Sequence, residues 1–291
     1  MAQAWKCSGL RWVAGGPVLV WDGGRRTALT WGKRVAFGVA EGGGRTCVGA
    51  RGHACPVRAA VPGRSTGARC EECARLDRAH SVAADTIADD PRPYRVYLAW
   101  FGPGMVKVGI TAEERGSARL LEQGAVCFSW LGTGPLMAAR RTEELLRAAL
   151  GVPDRIPYAE KRAVRARLPG SAGERAAEIT ELHGRAVALG GWPESLTPAP
   201  CRPVDHVDAF GLEALPAAVG AVSELVAGGA VGGRLMAAAG PDLHLETGAG
   251  SVLVLDTRLM TGWELVAARG EEVTVPVRQF RAPSGVQFGL F

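Results

Sequence analysis

Long hydrophobic runs are missing from this 291-residue sequence. No stretch approaches the ~20 apolar residues that a membrane-spanning helix needs. No uninterrupted apolar segment follows the single N-terminal lysine, Lys6, so a secretory signal is not expected and a cytoplasmic location is. No internal repeat is visible. Lysine is scarce: of 34 cationic residues, Lys6, Lys33, Lys107 and Lys161 are the lysines. The five histidines sit singly, so no histidine cluster for a metal is legible. Disorder is excluded by the 47% of hydrophobic residues, enough for one large core or two modest ones.

The net charge of +5 is unevenly spread. Residues 1–89 carry +6, residues 90–200 carry +3 and residues 201–291 carry −4. A basic front suits a polyanionic partner, with nucleic acid the leading candidate. Seven cysteines in a chain expected to be cytoplasmic do not read as a disulfide framework. Four of them, Cys47, Cys55, Cys70 and Cys73, fall in "CVGARGHACPVRAAVPGRSTGARCEEC". The last two form a Cys-x-x-Cys knuckle whose thiolates reach one tetrahedral ion. The first pair is more loosely spaced, so His53 is an alternative ligand beside Cys55. Structural Zn²⁺ is expected here, because Gly, Pro and Ser between the cysteines offer little core. Cys7, Cys127 and Cys201 read as small core residues.

The chain divides into three expected regions: a β-rich zinc-binding module over 1–90, a catalytic α+β domain over 91–195, and a C-terminal α+β region over 196–291. "VLVWDGG", "TALTW" and "RVAFGVAEGGG" read as short strands with tight turns. "DDPRP" and "GGWPESLTPAPCRP" read as linkers. "AEKRAVRARL" and "AGERAAEITELHGRAVAL" read as helices with Arg-rich faces. In the tail, "LEALPAAVGAVSELVAG" reads as a helix, and "SVLVLD", "WELVAAR" and "VTVPVRQF" as strands.

The centre is more specific. "RVYLAWFGPGMVKVGIT", Arg95 to Thr111, holds two short apolar runs around Gly-Pro-Gly. Pairing Phe101 with Met105 places Trp100, Leu98 and Val96 opposite Val106, Val108 and Ile110, an apolar face. The other face pairs Ala99 with Lys107, Tyr97 with Gly109 and Arg95 with Thr111. Two readings stand for it: an open patch where a ligand approaches the glycine, or a face that Tyr97 covers by packing over Gly109. Thr111 and Glu114 form a capping-box pattern for a helix that Gly124 ends. On that helix Arg115 and Arg119 lie one turn apart. In "PLMAARRTEELLRAALG", Glu143 flanks the apolar stripe while Glu144 points away from it. "DHVDAF" has a metal-binding flavour without a partner cluster.

Tyrosine on one strand, "VKVGIT" on the next, then an arginine and a glutamate on successive helices: this order resembles the GIY-YIG nuclease superfamily. "VYL" and "KVG" stand where its two motifs would be. The cysteines, "ARLLEQGA" and "LGVPDRIPY" look similar to a bacterial family of unknown function built on that core. The resemblance implies a three-stranded antiparallel sheet flanked by helices, and phosphodiester cleavage with one divalent metal. It implies that Tyr97 activates or positions the attacking water, that Arg119 holds the phosphate, and that Glu143 binds Mg²⁺ or Mn²⁺. Lys107 stands where the founding pattern has tyrosine, and can hold an anion or act as a base. The leading expectation is therefore a nuclease-like enzyme on nucleic acid. The alternative is the same Tyr/Lys/Arg/Glu site reused for acid–base bond formation or cyclisation of a small molecule. A non-catalytic zinc protein binding a partner through Arg-rich helices is a third reading.

Overall fold

The computed structural model describes residues 3–79 and 90–280. His80 and the first residue of the "DDPRP" linker lie outside them. Among the described residues no helix is long and apolar enough to cross a membrane. The architecture is mixed α and β, with two sheets.

The chain begins with β1 (Trp5–Val13), β2 (Gly16–Trp21), β3 (Arg26–Ala28) and β4 (Arg34–Val39). The cysteine segment follows and ends in α1 (Glu71–Ala79). The central unit comprises β5 (Tyr94–Trp100), β6 (Val106–Ala112), α2 (Ala118–Gln123), β7 (Cys127–Gly134) and α3 (Leu136–Leu150). Then come α4 (Tyr158–Val164), α5 (Ala172–Val187), and the short strands β8 (Thr197–Pro198) and β9 (Val204–Asp205). The tail adds a turn of helix, α6 (Val207–Phe210), and strands β10 (Gly220–Val222), β11 (Ala230–Ala239), β12 (Asp242–Glu246), β13 (Val252–Asp256), β14 (Glu264–Ala267) and β15 (Val277–Gln279).

The first and last groups of strands share one ten-stranded sheet, in the order β15-β10-β13-β12-β11-β4-β14-β1-β2-β3. The central strands form a second sheet, β6-β5-β7-β8, with β9 also pairing β7. The β5–β6 hairpin has the expected register, Tyr97 opposite Gly109 and Ala99 opposite Lys107. Strict alternation makes that register specific, because a one-residue slip would move every apolar side chain to the wrong face. Val96, Leu98, Trp100 and Val108 enter the main core, which α3 and α5 cover.

The second face of the hairpin combines its two readings: Tyr97, Lys107 and Gly109 border a cleft, and the tyrosine also packs over the glycine. Tyr97 and Ala99 are buried there with Phe101, Leu120, Ala125, Phe128 and Ile156 in a smaller core. The tyrosine ring lies on Gly109, where an added Cβ would collide with its Oη. The glycine makes room for the phenol.

Two local expectations fail for visible reasons. Thr111 caps no helix. It continues β6, a 3₁₀ turn follows over Glu113–Arg115, and Gly116 at φ 49 breaks the path before α2 begins. Gly124 does end α2 in the left-handed conformation, its N–H bonding back to Leu120 and Leu121 carbonyls. The expected helix over 212–228 is extended chain carrying β10, which runs parallel to β13 and antiparallel to β15. Pro216 is unfavourable in a helix interior, and Gly220 lies so close to β15 that a Cβ would meet the Arg278 carbonyl oxygen at 2.8 Å.

Candidate active site and metal centre

The sulfurs of Cys47, Cys55, Cys70 and Cys73 all lie within 4.8 Å of one another. Around a tetrahedral zinc with bonds of ~2.3 Å, sulfurs stand ~3.8 Å apart, so the cluster is of the right size. Backbone N–H groups of Gly49 and Cys70 donate to the Cys47 sulfur at 3.3 and 3.2 Å, the outer hydrogen bonding expected around a thiolate ligand. Gly49 sits at φ 79, with the His53 carbonyl so near that no side chain fits. Burial, followed by the neighbouring thiols, pushes the Cys73 thiol up to about 12. Thiolates packed this closely repel each other, and a divalent ion such as Zn²⁺ removes that repulsion. His53 is exposed, its backbone pairs with Ala50, and it is not one of the clustered ligands.

A cleft of about 670 Å³ opens beside the central sheet, walled by β6, α2, α3 and the stretch from Asp154 to Lys161. Tyr97, Lys107, Arg119 and Glu143 all line it. Four of the five candidates thus converge, each from a separate element. The fifth does not: Arg115 sits in the 3₁₀ turn before α2, pairs with Glu122 at 2.6 Å and faces a different cavity. Its separation from Arg119 follows from the break at Gly116.

The Tyr97 hydroxyl accepts a hydrogen bond from Gln123 Nε2 at 2.8 Å. Burial raises its pKa, so the phenol stays protonated near neutrality. Lys107 Nζ donates to the Asp154 carbonyl at 3.1 Å and stands 5.8 Å from the centre of the Tyr97 ring, the diagonal reach the register implies. Burial, reinforced by Arg119, brings Lys107 down to about 8. Burial also raises the Glu143 carboxyl, an effect Lys107 partly offsets. Glu144 is exposed at the rim and pairs with Arg147 at 3.1 Å. Cations dominate the walls, with Lys107, Arg119, Arg140, Arg147, Arg155 and Lys161 against Glu143, Glu144 and Asp154.

Gln123 and Lys161 are among the residues at this site that were not singled out from the sequence. Lys161 Nζ donates to the Gln123 carbonyl at 3.1 Å and lies 3.7 Å from the Phe101 ring centre and 4.5 Å from that of Tyr158. Burial, then repulsion from Lys107, lowers it to about 7. Its signal was rarity: in an arginine-rich chain a lysine on "AEKRAVRARL" is a chemical choice. The Asp-His-x-Asp stretch, by contrast, is structural. Asp205 pairs with Arg175 at 2.6 Å, and the His206 ring sits 2.9 Å from the Ala125 carbonyl.

No curated protein and no solved structure matches the chain. A family model does, along residues 32–265, a span that holds the cysteine cluster and every residue of the cleft. By that match the chain belongs to the family described as "Protein of unknown function (DUF2797)".

Proposed function

We propose that this protein is a phosphodiester hydrolase of the GIY-YIG nuclease type, acting on nucleic acid. The observation that carries the proposal is the convergence of Tyr97, Lys107, Arg119 and Glu143 on one cation-rich cleft. The strand order β6-β5-β7, antiparallel throughout, agrees with the sheet that the resemblance implies. Arg119 has no ion-pair partner among the described residues and would bind the phosphate in a forked, charge-assisted geometry. Tyr97, held protonated by its burial and oriented by Gln123, positions the attacking water rather than serving as a phenolate. Lys107 and Lys161 offset the charge that builds on the phosphoryl oxygens. Glu143 offers oxygen ligands to Mg²⁺ or Mn²⁺, and a cation beside it would relieve the cost of burying the carboxylate. When bound, such an ion polarises a phosphoryl oxygen as a Lewis acid.

Incubating single- and double-stranded DNA and RNA with the protein and Mg²⁺ or Mn²⁺ tests this. Tyr97→Phe and Glu143→Gln should each slow cleavage by about 10²-fold or more. Parent-level cutting by both variants would remove the assignment.

A second reading is acid–base chemistry on a small anionic molecule. The two lysines with pKa values brought to about 8 and about 7 favour it, being poised for proton transfer near neutrality. A parent protein that binds no polynucleotide even at low salt would move this reading ahead.

A further inference from the structure

We infer that the strand leaving the reaction cleft runs through a second cleft toward the cysteine segment, with Arg11 and Arg69 as its phosphate contacts. This rests on the nuclease reading above. The second cleft, of about 360 Å³, lies between β1, the Thr66–Arg69 loop of the cysteine segment, and the turns flanking β12 and β13. It shares Arg119 and Tyr158 with the reaction cleft. The two therefore adjoin, with the proposed phosphate-binding arginine at their common border.

Charge sets the direction. Arg11, Arg69, Arg119 and Arg258 line the second cleft against a single acid, Glu122. Glu122 is already neutralised by Arg115, and Arg258 by Asp256. Arg11 is exposed on β1, and among the described residues its side chain hydrogen-bonds just the carbonyl of its neighbour Leu10, at 3.5 Å. Arg69 pairs with Asp77 at 3.2 Å, but both side chains are well exposed, so the pair is weak and its guanidinium is available. The larger cavity of about 740 Å³ on the other side of α2 presents Glu114 and Asp208 against Arg115. On that side Glu114 is neutralised by Arg92 and Arg115 by Glu122, which leaves Asp208 and no spare cation, so a polyanion leaving Arg119 is attracted to the second cleft.

The geometry also gives the cysteine segment a task. Arg69 Nε donates to the Gly49 carbonyl at 2.9 Å, and the Gly49 N–H donates to the Cys47 sulfur. A metal held by the four thiolates would fix the loop on which Arg69 is mounted. The substrate is then an extended strand of several nucleotides rather than a mononucleotide.

Fluorescence anisotropy with a labelled thymidine dinucleotide and an octanucleotide, in buffer without added Mg²⁺ or Mn²⁺ so that cutting is prevented and the thiolate-bound metal is retained, tests this on the full-length protein. Arg11→Ala should weaken octanucleotide binding several-fold, leave the dinucleotide unchanged, and reduce the salt slope for the octanucleotide by about one. Arg69→Ala should do the same. It also removes the bond to Gly49, so Arg11→Ala is the primary variant. Octanucleotide affinity equal in Arg11→Ala and parent overturns the inference while leaving the nuclease reading intact. Failure of the parent to bind or cut any polynucleotide overturns both.

Discussion

The segment Tyr158–Arg167 buries cations on two sides and treats them in opposite ways. On one side Arg162 reaches Asp242 and Asp256 at 2.6 and 2.7 Å, and Arg165 reaches Asp242 at 2.6 Å. Every cation there meets a carboxylate, and the network ties the central unit to β12 and β13 of the large sheet. On the other side Lys161 meets a carbonyl and two aromatic rings, and Lys107 meets a carbonyl. Desolvating a charge is costly unless it is paired. The paired side is a clasp. The unpaired side keeps its charge for something that arrives from outside.

The largest expected effect falls on the clasp. Asp242→Asn leaves two buried guanidinium groups short of a partner and should cost about 3–5 kcal/mol in urea unfolding. A loss below ~1 kcal/mol would mean that the network is not what joins the two sheets. Next is Arg119→Ala, which should slow phosphodiester cleavage by about 10²–10³-fold while the unfolding midpoint stays near the parent's. If stability fell as much as for Asp242→Asn, the difference between the two sides would disappear.

The clasp should also be acid-labile. Burial, with Arg165 beside it, brings His244 down to about 3, while Asp242 binds its proton below the usual carboxylate range despite its burial. The charges facing the His244 ring are Arg165, Arg162 and Asp242. Between pH 6.5 and 3 the unfolded chain therefore holds more protons than the native one, and stability is lost as pH falls through that window. Unfolding midpoints at pH 7 and pH 4.5 measure it, and His244→Gln should shrink the drop.

The smallest effect has the opposite sign. Lys161→Met should raise the melting temperature at pH 6 by an amount equivalent to about 1 kcal/mol. The gain should fade between pH 7 and 10, where the parent's unfolded lysine holds a proton that the native one, at about 7, has released. Added pyrophosphate should stabilise the parent more than this variant. Equal stabilisation would show that Lys161 does not face the anion.

What could be read beforehand follows the range of the interactions involved. The hairpin was legible because its apolar alternation and Gly-Pro-Gly are local, and the cysteine cluster because Cys70 and Cys73 share one turn. Helical angle distinguishes Glu143, half-buried in the cleft wall, from Glu144, exposed at its rim. The helix wrongly expected over 212–228 shows the limit of composition, since Ala and Leu there outweighed Pro216 and Gly220. The strand β11, "AVGGRLMAAA", carries little β signal in its small residues. They are there because of close approach, a Cβ on Gly232 meeting the Gly270 carbonyl oxygen at 2.5 Å. Lys161 was missed because its neighbours, Phe101 and the carbonyl of Gln123, come from distant parts of the chain. The joining of β1 and β4 to the tail strands has no local signature at all.

That joining bears on how the protein is made. In the finished sheet β4 lies between β11 and β14, so both of its edges stay bare on the ribosome until Ala230 and the residues after it have emerged. The central strands β5, β6 and β7 find their partners within their own stretch and can assemble first. Such long-range pairing makes for slow folding, and a chain halted before Ala230 would carry a naked β4, an invitation to aggregate that the completed protein no longer offers.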